Sequence, residues 1–447
     1  MGTALSSLMS SGKCIGEVVR YKTEHRFPYN VLPLDGGVVK RADYPELSKL
    51  IPTTAGFGLK LFNDNNQSST VKPTGTITTK GEEGYIRFSN SSAYFKSSDG
   101  MNYDLFKFSP EISGYVQVTT EVARRSAASD GVRTFVKIAT TESGGYGVVV
   151  SKDHGATWQF VSLQQFTASP ASKMSNMPDT TKRYMEQMQV IYAKNRFYLC
   201  FLKDDPIGHT INVLLQSEDG VAWTKHVNHI GIATVSGVTF PKLVLCANST
   251  HLYTVTVNPS DSYRNVVLHY FKLESNSYAG ADGIEFPYWS SDTGGAFAAA
   301  INDDVCLVSY RRSSAPSDSP SALFVVNLID GVVADKSSSE FIDMPRNAAL
   351  PTSLIDNGSY FYFYRADPTS GALIRVDAVA KNIQYLASFS NDYTATAIPD
   401  FSNVFFDGEI LHISNGTAQL LVDPDTEMVL KRMINDNAAL KYGIVAR

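Results

Sequence analysis

The stretch Ser151-Lys152-Asp153-His154-Gly155-Ala156-Thr157-Trp158 follows the apolar run at 146–150 and precedes a second apolar run. The carboxylate of Asp153 can fold back onto neighbouring backbone N–H groups, and Gly155 suits a position with positive φ. The indole of Trp158 can turn inward and pack. The stretch therefore predicts a compact turn that joins two β-strands.

Two shorter copies of this turn have the same order of hydroxyl, carboxylate, glycine and aromatic residues. They span residues 97–103 and 217–223. Three copies in one chain indicate a structural repeat. A fourth stretch, 290–297, contains the same residue types but falls off the repeat spacing described below.

The pattern Ser-x-Asp-x-Gly-x-Thr-Trp resembles the Asp-box of sialidase-like β-propellers, and the copy at 151–158 matches it at every defining position. In that family the box joins the third and fourth strands of a blade, on the face away from the active site. The resemblance therefore implies architecture and not chemistry. It assigns structural roles to Asp99, Tyr103, Ser151, Asp153, Gly155, Trp158, Ser217, Asp219, Gly220 and Trp223.

The region around these turns repeats a unit of four apolar runs, with a tight polar turn between the first and second runs. These tight turns recur about 50 to 65 residues apart, which suits a four-stranded propeller blade. They are Glu82-Glu83-Gly84, Asp130-Gly131, Lys194-Asn195, Asn248-Ser249, Asp303-Asp304, Asp356-Asn357-Gly358 and Asp407-Gly408. The sequence thus predicts an all-β chain with a six- or seven-bladed β-propeller at residues 75–447. Because an open ring leaves two unpaired edges, we expect one blade to combine strands from both ends of the ring.

Residues 1–74 differ from the repeats and predict a small N-terminal module. A capping box at Asp43 and Glu46 precedes apolar residues at helical spacing, so one short helix is predicted before Pro52. This module has too few apolar residues to bury a core alone.

Two motifs in the module, Leu32-Pro33-Leu34-Asp35-Gly36 and Tyr44-Pro45-Glu46-Leu47, resemble the collar-type module of tail fibres and tail adhesins of tailed bacteriophages. That family usually has Pro-Gly before an aromatic residue ahead of the Asp-Gly, and Phe27-Pro28-Tyr29-Asn30 stands here instead. The resemblance covers about 35 residues and implies attachment to a phage tail. The alternative is an ordinary capped helix in an N-terminal extension.

The chain has 447 residues and a formal net charge of −5. This balance excludes a whole-molecule field that would attract nucleic acid or an anionic membrane. No apolar stretch reaches the length of a membrane span, and residues 1–14 lack the basic start and apolar core of a secretory signal. We therefore expect no nucleic-acid partner, no membrane insertion and no export by the usual secretory route.

Three cysteines, Cys200, Cys246 and Cys306, lie within apolar runs at equivalent places in successive repeats, whereas Cys14 is isolated. Buried thiols are expected there, with disulfides as the alternative. No Cys/His cluster has the spacing of a zinc site, so neither a metal nor a cofactor is predicted.

Propeller connectivity places the tight turns and the Asp-box-like turns on one face, so the remaining, longer loops gather on the other. Long loops on a rigid scaffold are the usual location of binding residues. Arg, Tyr and Trp suit a binding face because they offer large contact areas and hydrogen bonds. The predicted binding residues are Arg183, Tyr184, Arg264, Tyr288, Trp289, Arg311 and Arg346. The alternative is that the loops only close blades of uneven length.

Sialidase activity is a second alternative for the same loops. The family resemblance would require an arginine triad that clamps a carboxylate, a tyrosine nucleophile assisted by a glutamate, and an aspartate acid. The pair Tyr184 and Glu186 is available, but the Arg-Ile-Pro segment that opens the sialidase catalytic domain is absent. Adjacent Arg311 and Arg312 would point opposite ways in a strand, so at most one could join a clamp. No catalytic residue is therefore assigned.

Taken together, the two resemblances predict a phage tail adhesin that recognises a glycan or an outer-membrane protein on the bacterial surface. Such a protein would belong to the virion tail, assemble in the host cytoplasm and contact other tail proteins. A homo-oligomer, with a trimer favoured, is expected. The alternatives are a glycan-cleaving enzyme on the same propeller and a structural tail component without receptor binding.

Overall fold

The chain is described from a computed structural model. The structure describes residues 18–22, 31–33, 57–58, 77–88, 93–98, 100, 103–113, 126–140, 146–167, 188–204, 210–226, 230–231, 242–257, 265–275, 277–285, 297–310, 322–334, 340–343, 355–356, 358–366, 370–390, 403–414, 419–423, 428–433 and 440–445. The predicted short helix before Pro52 lies outside these ranges.

Most of the described residues form β-strands, as the alternating apolar runs predict. Three short strands come first: β1 (Val18–Lys22), β2 (Val31–Pro33) and β3 (Phe57–Gly58). Blade 1 consists of β4 (Ile77–Gly81), β5 (Gly84–Phe88), β6 (Ala93–Ser97) and β7 (Asp104–Lys107). Blade 2 consists of β8 (Ala127–Ser129), β9 (Phe135–Thr140), β10 (Tyr146–Ser151) and β11 (Gln159–Ser162). Two one-turn helices, α1 (Pro110–Ser113) and α2 (Gln164–Thr167), follow β7 and β11.

Blades 3 to 5 continue this order. Blade 3 consists of β12 (Gln189–Ala193), β13 (Arg196–Asp204), β14 (Thr210–Ser217), β15 (Thr224–Lys225) and β16 (Ile230–Gly231). Blade 4 consists of β17 (Lys242–Ala247), β18 (His251–Val257), β19 (Asn265–Lys272) and β20 (Ser277–Glu285). Blade 5 consists of β21 (Phe297–Ile301), β22 (Val305–Tyr310), β23 (Ala322–Ile329), β24 (Val332–Val333) and β25 (Glu340–Asp343). In blades 3 and 5 the fourth strand is split into two pieces that both pair with the third strand.

Blades 6 and 7 complete the set. Blade 6 consists of β26 (Ile355–Asp356), β27 (Phe361–Ala366), β28 (Ser370–Asp377) and β29 (Asn382–Ser390). Blade 7 consists of β30 (Asn403–Phe406), β31 (Leu411–Ser414), β32 (Gln419–Asp423) and β33 (Met428–Met433). A last strand, β34 (Leu440–Val445), lies outside the blades. The all-β propeller prediction is confirmed, and the described strands form seven blades, the larger of the two predicted numbers.

The first strands of the blades form a closed inner ring. Contacts join β4 to β8, β8 to β12, β12 to β17, β17 to β21, β21 to β26, β26 to β30, and β30 back to β4. The expectation that one blade combines strands from both ends is wrong, because each blade takes its four antiparallel strands from one continuous stretch. Side-chain bonds between blades 7 and 1, described below, hold the ring closed.

The chain ends meet in a separate sheet of order β1–β34–β2. Both partners run antiparallel to β34, with Val18 opposite Ile444 and Val31 opposite Val445. Strand β3 adds to the outer edge of blade 6, where it runs parallel to β29. The division of the chain at residue 74 stays a prediction, and these pairings tie the N-terminal residues to the last strand and to blade 6.

All seven predicted tight turns lie between the first and second strands of their blades. The three predicted box turns join the third and fourth strands of blades 1, 2 and 3, although Asp99 itself is outside the described residues. Stretch 290–296 also lies outside them, between blades 4 and 5 rather than within a blade.

The turn at 151–158 has the predicted bonds. The Thr157 N–H and hydroxyl donate to the two carboxylate oxygens of Asp153, at 2.8 and 2.6 Å. Ser151 Oγ donates to Asp153 and accepts from the Gly155 N–H, both at 2.8 Å. Partial burial raises the pKa of Asp153, and the hydrogen bonds outweigh it, so the pKa lies below its usual value.

The two tryptophans of the box turns pack between blades, whereas the Tyr103 ring lies 4.5 Å from the Arg87 guanidinium of its own blade. Trp158 contacts Phe88, Tyr94 and Phe108 of blade 1 and is half-buried. Trp223 is 6% exposed and joins a cluster that spans blades 2 and 3. Each of these two turns is therefore a contact with the preceding blade.

The described cysteines are buried thiols, as predicted. Their equivalence is only partial. Cys200 and Cys306 lie in second strands, whereas Cys246 lies in the first strand of blade 4.

Candidate functional site

The inner ring encloses a cavity of about 1160 Å³, here called the axial cavity. Every blade lines it with residues of its first strand, and the wall extends to the turns between first and second strands. Such a concave site on a rigid scaffold is the default location for a ligand. Representative lining residues, one for each blade, are Thr79, Ser129, Ile191, Asn248, Ile301, Asp356 and Asp407.

In five blades, an aspartate or asparagine where the first strand ends closes the following turn. Its Oδ1 accepts backbone N–H groups two to four residues ahead, at 2.8–3.0 Å, which satisfies donors that the sheet leaves unpaired. The five residues are Asp130, Asn248, Asn302, Asp356 and Asp407. The turn accepts either residue type, so the negative charge is not required for it.

Asp407 is the centre of a buried polar cluster, here called the seam, between blades 7 and 1. Its Oδ2 accepts the Tyr85 hydroxyl at 2.5 Å, meets His412 Nε2 at 2.8 Å and lies 3.6 Å from Lys80 Nζ. Its side chain is 1% exposed. Gly100 of the blade 1 box turn packs against the rings of Tyr85 and His412.

These contacts decide the charge at the seam. Burial raises the pKa of Asp407, but hydrogen bonds from His412, Tyr85 and backbone N–H groups outweigh it and hold the pKa far below its usual value. Burial and the Asp407 hydrogen bond raise the pKa of Tyr85 well above its usual value. The carboxylate is thus ionised and the phenol neutral at physiological pH.

Asp356 has the opposite environment. Burial raises its pKa to about 6, with a lowering contribution from the Gly358 N–H and a further raising contribution from the charge of Asp303. Asp303 accepts the Ser249 N–H at 2.9 Å, so a bond from blade 4 holds this carboxylate in place. Within the described part of the chain, no Lys, Arg or His forms an ion pair with Asp356.

The rest of the cavity wall is largely apolar. Ile191, Tyr192, Ile355 and Phe405 line it and are only half-buried, so their side chains present carbon surface to the cavity. Lys194 and Glu82 are exposed at the turns. The cavity therefore combines a broad apolar wall with a few charged groups, the composition typical of small-ligand sites.

The described ranges contain no group of three or more His, Cys, Asp and Glu side chains placed to hold a metal ion. None of the helices described is both long and apolar enough to cross a bilayer.

The seven predicted binding residues all lie outside the described residues. Their chain positions agree with the predicted kind of loop. Arg264 and Arg311 follow second strands, and the other five lie in connections between blades. A binding site formed by these seven residues therefore stays a prediction.

Sequence reasoning missed the axial cavity and its charged residues. Asp356 and Asp407 were assigned only as turn residues, and Tyr85, Lys80 and His412 were not singled out. The available signal was the recurring Asp or Asn at the end of first strands. Their different partners come from neighbouring blades, which the local sequence does not reveal.

Comparison with known proteins adds little beyond fold. No protein-family profile matches the chain, and no curated protein matches it. Similar solved structures include the tricorn protease, at 12% identity and a TM-score of 0.44, with 85% of this chain and 36% of that chain covered. A candidate 6-phosphogluconolactonase of Bacteroides fragilis shares 11% identity at a TM-score of 0.42, with 82% and 96% covered. A prolyl endopeptidase shares 10% identity at a TM-score of 0.44, with 79% and 47% covered.

These neighbours have propeller-type folds. The chain spans only about a third of the tricorn protease chain. At such low identities and TM-scores the likeness carries no argument about activity, and the fold rests on the strand pairing of this chain itself.

Proposed function

We propose that this chain is a receptor-binding protein of a bacteriophage tail, in which the N-terminal residues attach to the tail and the propeller recognises the host surface. Its place would be the virion tail, after assembly in the host cytoplasm. The receptor would be a glycan or an outer-membrane protein.

One observation carries this proposal, the difference between the two kinds of connection. The connections between first and second strands, and the described box turns, are short and satisfy their own backbone groups. Several of the other connections are longer, as between β18 and β19, β20 and β21, or β22 and β23, whereas those between β27 and β28 and between β31 and β32 are short. Long loops that share one face of a rigid ring suit a receptor-binding surface.

The Asp-box and collar-type resemblances supply the biological context. The box pattern at 151–158 resembles that of sialidase-like propellers and supports the architecture, and the motifs at 32–47 resemble those of tail attachment modules. The pairing of β1 and β2 with β34 supports a firm link between attachment residues and propeller.

The experiment measures adsorption of the labelled full chain to a panel of bacterial strains. Trp289→Ala is expected to abolish adsorption to the recognised strain and leave the unfolding midpoint unchanged, because exposed aromatic residues anchor sugar rings. Val132→Ala is the control, since this exposed side chain lies in a turn between first and second strands, on the opposite face. Adsorption lost by deleting residues 168–187 but kept in Trp289→Ala would favour a protein receptor.

Incubation with envelope polysaccharide from the same strain distinguishes the rival functions. Binding without fragments is expected. Release of oligosaccharides would replace the adhesin with a glycan-cleaving enzyme, and no binding to any strain would favour a structural tail component.

A further inference from the structure

We propose that the axial cavity is a second binding site, which takes an organic cation: a ligand with an ammonium group on a carbon skeleton, anchored by the carboxylate of Asp356. This site differs from the proposed receptor surface, because it is built from first strands and their turns rather than from the long loops.

The turn that follows β26 does not need the charge of Asp356. Its Oδ1 accepts the Gly358 N–H at 2.9 Å. Asn248 and Asn302 hold the same position in blades 4 and 5 and make the same kind of bond with a neutral side chain. Turn formation therefore explains the hydrogen bond and leaves the carboxylate unexplained.

Asp356 also differs from Asp407 in its partners. Asp407, at the same position in blade 7, is stabilised by the hydroxyl, imidazole and ammonium groups of the seam. Asp356 forms no ion pair in the described part of the chain, and its acidic neighbour Asp303 acts against its ionisation. A desolvated carboxylate beside a like charge is costly unless a cation joins it.

The hydrogen-bonding groups of Asp356 favour a ligand that donates. The carboxylate is an acceptor, and its Oδ1 already accepts the Gly358 N–H. An ammonium group only donates hydrogen bonds, so it complements this carboxylate, whereas an anion does not.

The wall also accommodates a carbon skeleton. Ile355 is adjacent to Asp356 in the chain, and blade 7, the next blade around the ring, supplies Phe405. Aromatic faces attract a cation as well as its methylene groups. The volume of about 1160 Å³ exceeds the usual range for small-ligand sites, so a long diamine or polyamine has room.

Isothermal titration calorimetry with spermidine on the full chain, at pH 7.5 and low salt, tests the proposal. Wild type is expected to bind, and Asp356→Asn is expected to bind about tenfold or more weakly, since one charge-assisted hydrogen bond is lost. Asn is the matched substitution because blades 4 and 5 use it at this position. Asp330→Asn, an exposed turn variant outside the cavity wall, is expected to bind as wild type does.

The pH dependence provides a second readout that needs no variant. Asp356 shares its surroundings with Lys80, Glu82, Lys194, Asp303, Asp407 and His412. Protonation of Asp356 removes its charge, so wild-type affinity is expected to fall several-fold between pH 7.5 and pH 5, with a smaller change in Asp356→Asn.

Equal affinity of wild type and Asp356→Asn would overturn the proposal. So would absence of spermidine binding by wild type at millimolar concentration, or binding of hexanoate or of a neutral trisaccharide in its place. A similar loss in Asp330→Asn would show general surface attraction only.

Discussion

Asp356 and Asp407 show how one residue type at one repeat position acquires opposite properties. Both close the turn after a first strand through Oδ1. The pKa is raised in Asp356, by burial and by a nearby like charge, and lowered in Asp407, by donors from two blades. The stability of the protein should therefore respond to the two carboxyl groups in opposite directions.

We expect Asp356→Asn to increase the free energy of unfolding at pH 8 by up to about 3 kcal/mol. The folded pKa of about 6 lies above the unfolded value of 3.8, so this group destabilises the fold progressively as pH rises from about 4 to 6. At pH 4 the variant and wild type should differ little. Urea unfolding at both pH values measures this, and an equal difference at both would contradict the assigned environment.

Asp407→Asn should reduce the free energy of unfolding at pH 7 by about 3 kcal/mol, because Tyr85 and Lys80 lose a charged acceptor. Its folded pKa is depressed, so this contribution is present above the unfolded pKa and is lost as pH falls through the folded one. Asp304→Asn, an exposed turn change in blade 5, is the control. Equal urea midpoints for these two variants would mean that the seam adds no stability.

At this scale the sequence predicted bonds within a turn and missed those between blades. The bonds of Asp153 follow from residues at most four positions away. Asp407 and Tyr85 are 322 positions apart, and no local pattern encodes their contact.

Among the turns, the glycines between third and fourth strands serve contact between blades as well as chain reversal. Tyr94 of blade 1 donates its hydroxyl to the Gly155 carbonyl, and Tyr253 of blade 4 donates to the Gly331 carbonyl. A Cβ at Gly220 would lie 2.7 Å from Val136 Cγ2 of blade 2. The backbone of each such turn is thus a surface against which the preceding blade packs.

Gly220→Ala and Gly131→Ala form a matched pair, since φ is 74° at one and 77° at the other. Alanine in this region costs about 1–2 kcal/mol at either position. A Cβ added at Gly131 would meet no atom within 4 Å, whereas one added at Gly220 would meet Val136. Only Gly220→Ala should therefore lose about 1–3 kcal/mol more of unfolding free energy through overpacking. Thermal unfolding compares them, and equal losses would refute the packing role.

The positions of the turns were predictable because turn residues are local sequence signals. The breaks within strands were not predictable. The sequence located all seven tight turns and gave no sign that the fourth strands of blades 3 and 5 are split. An outer strand pairs with a blade neighbour on one side only, so a break in it leaves the inner strands of the blade paired.

For the whole molecule, the repeat spacing predicted the propeller, and the way the ring closes could not be inferred from it. Apolar clusters join blades 1 to 2, 2 to 3, 3 to 4, 4 to 5 and 5 to 6. At the junction of blades 7 and 1 the described residues form the polar seam. The cost of open edges predicted a blade built from both ends of the ring. The ring instead closes through contacts between blades 7 and 1, which include the bond from Tyr85 to Asp407.

The oligomeric state is a property of the whole molecule. We expect the full chain to sediment as an oligomer, with a trimer favoured, because the N-terminal residues have too small an apolar content to be stable alone. Removing residues 1–74 should yield a monomeric propeller. A monomeric full chain with residues 1–60 protected from protease would contradict this.

The four antiparallel strands of every blade come from one continuous stretch, and Val18 pairs with Ile444, so the chain could start at another blade of the same ring. Paired residues in antiparallel strands lie about 5 Å apart, so a short linker is enough to connect them. A circular permutant that starts at β12 and ends after β11 would keep every strand pair of every blade. We expect it to fold with its new ends at the junction of blades 2 and 3, which is covalently continuous in the natural chain.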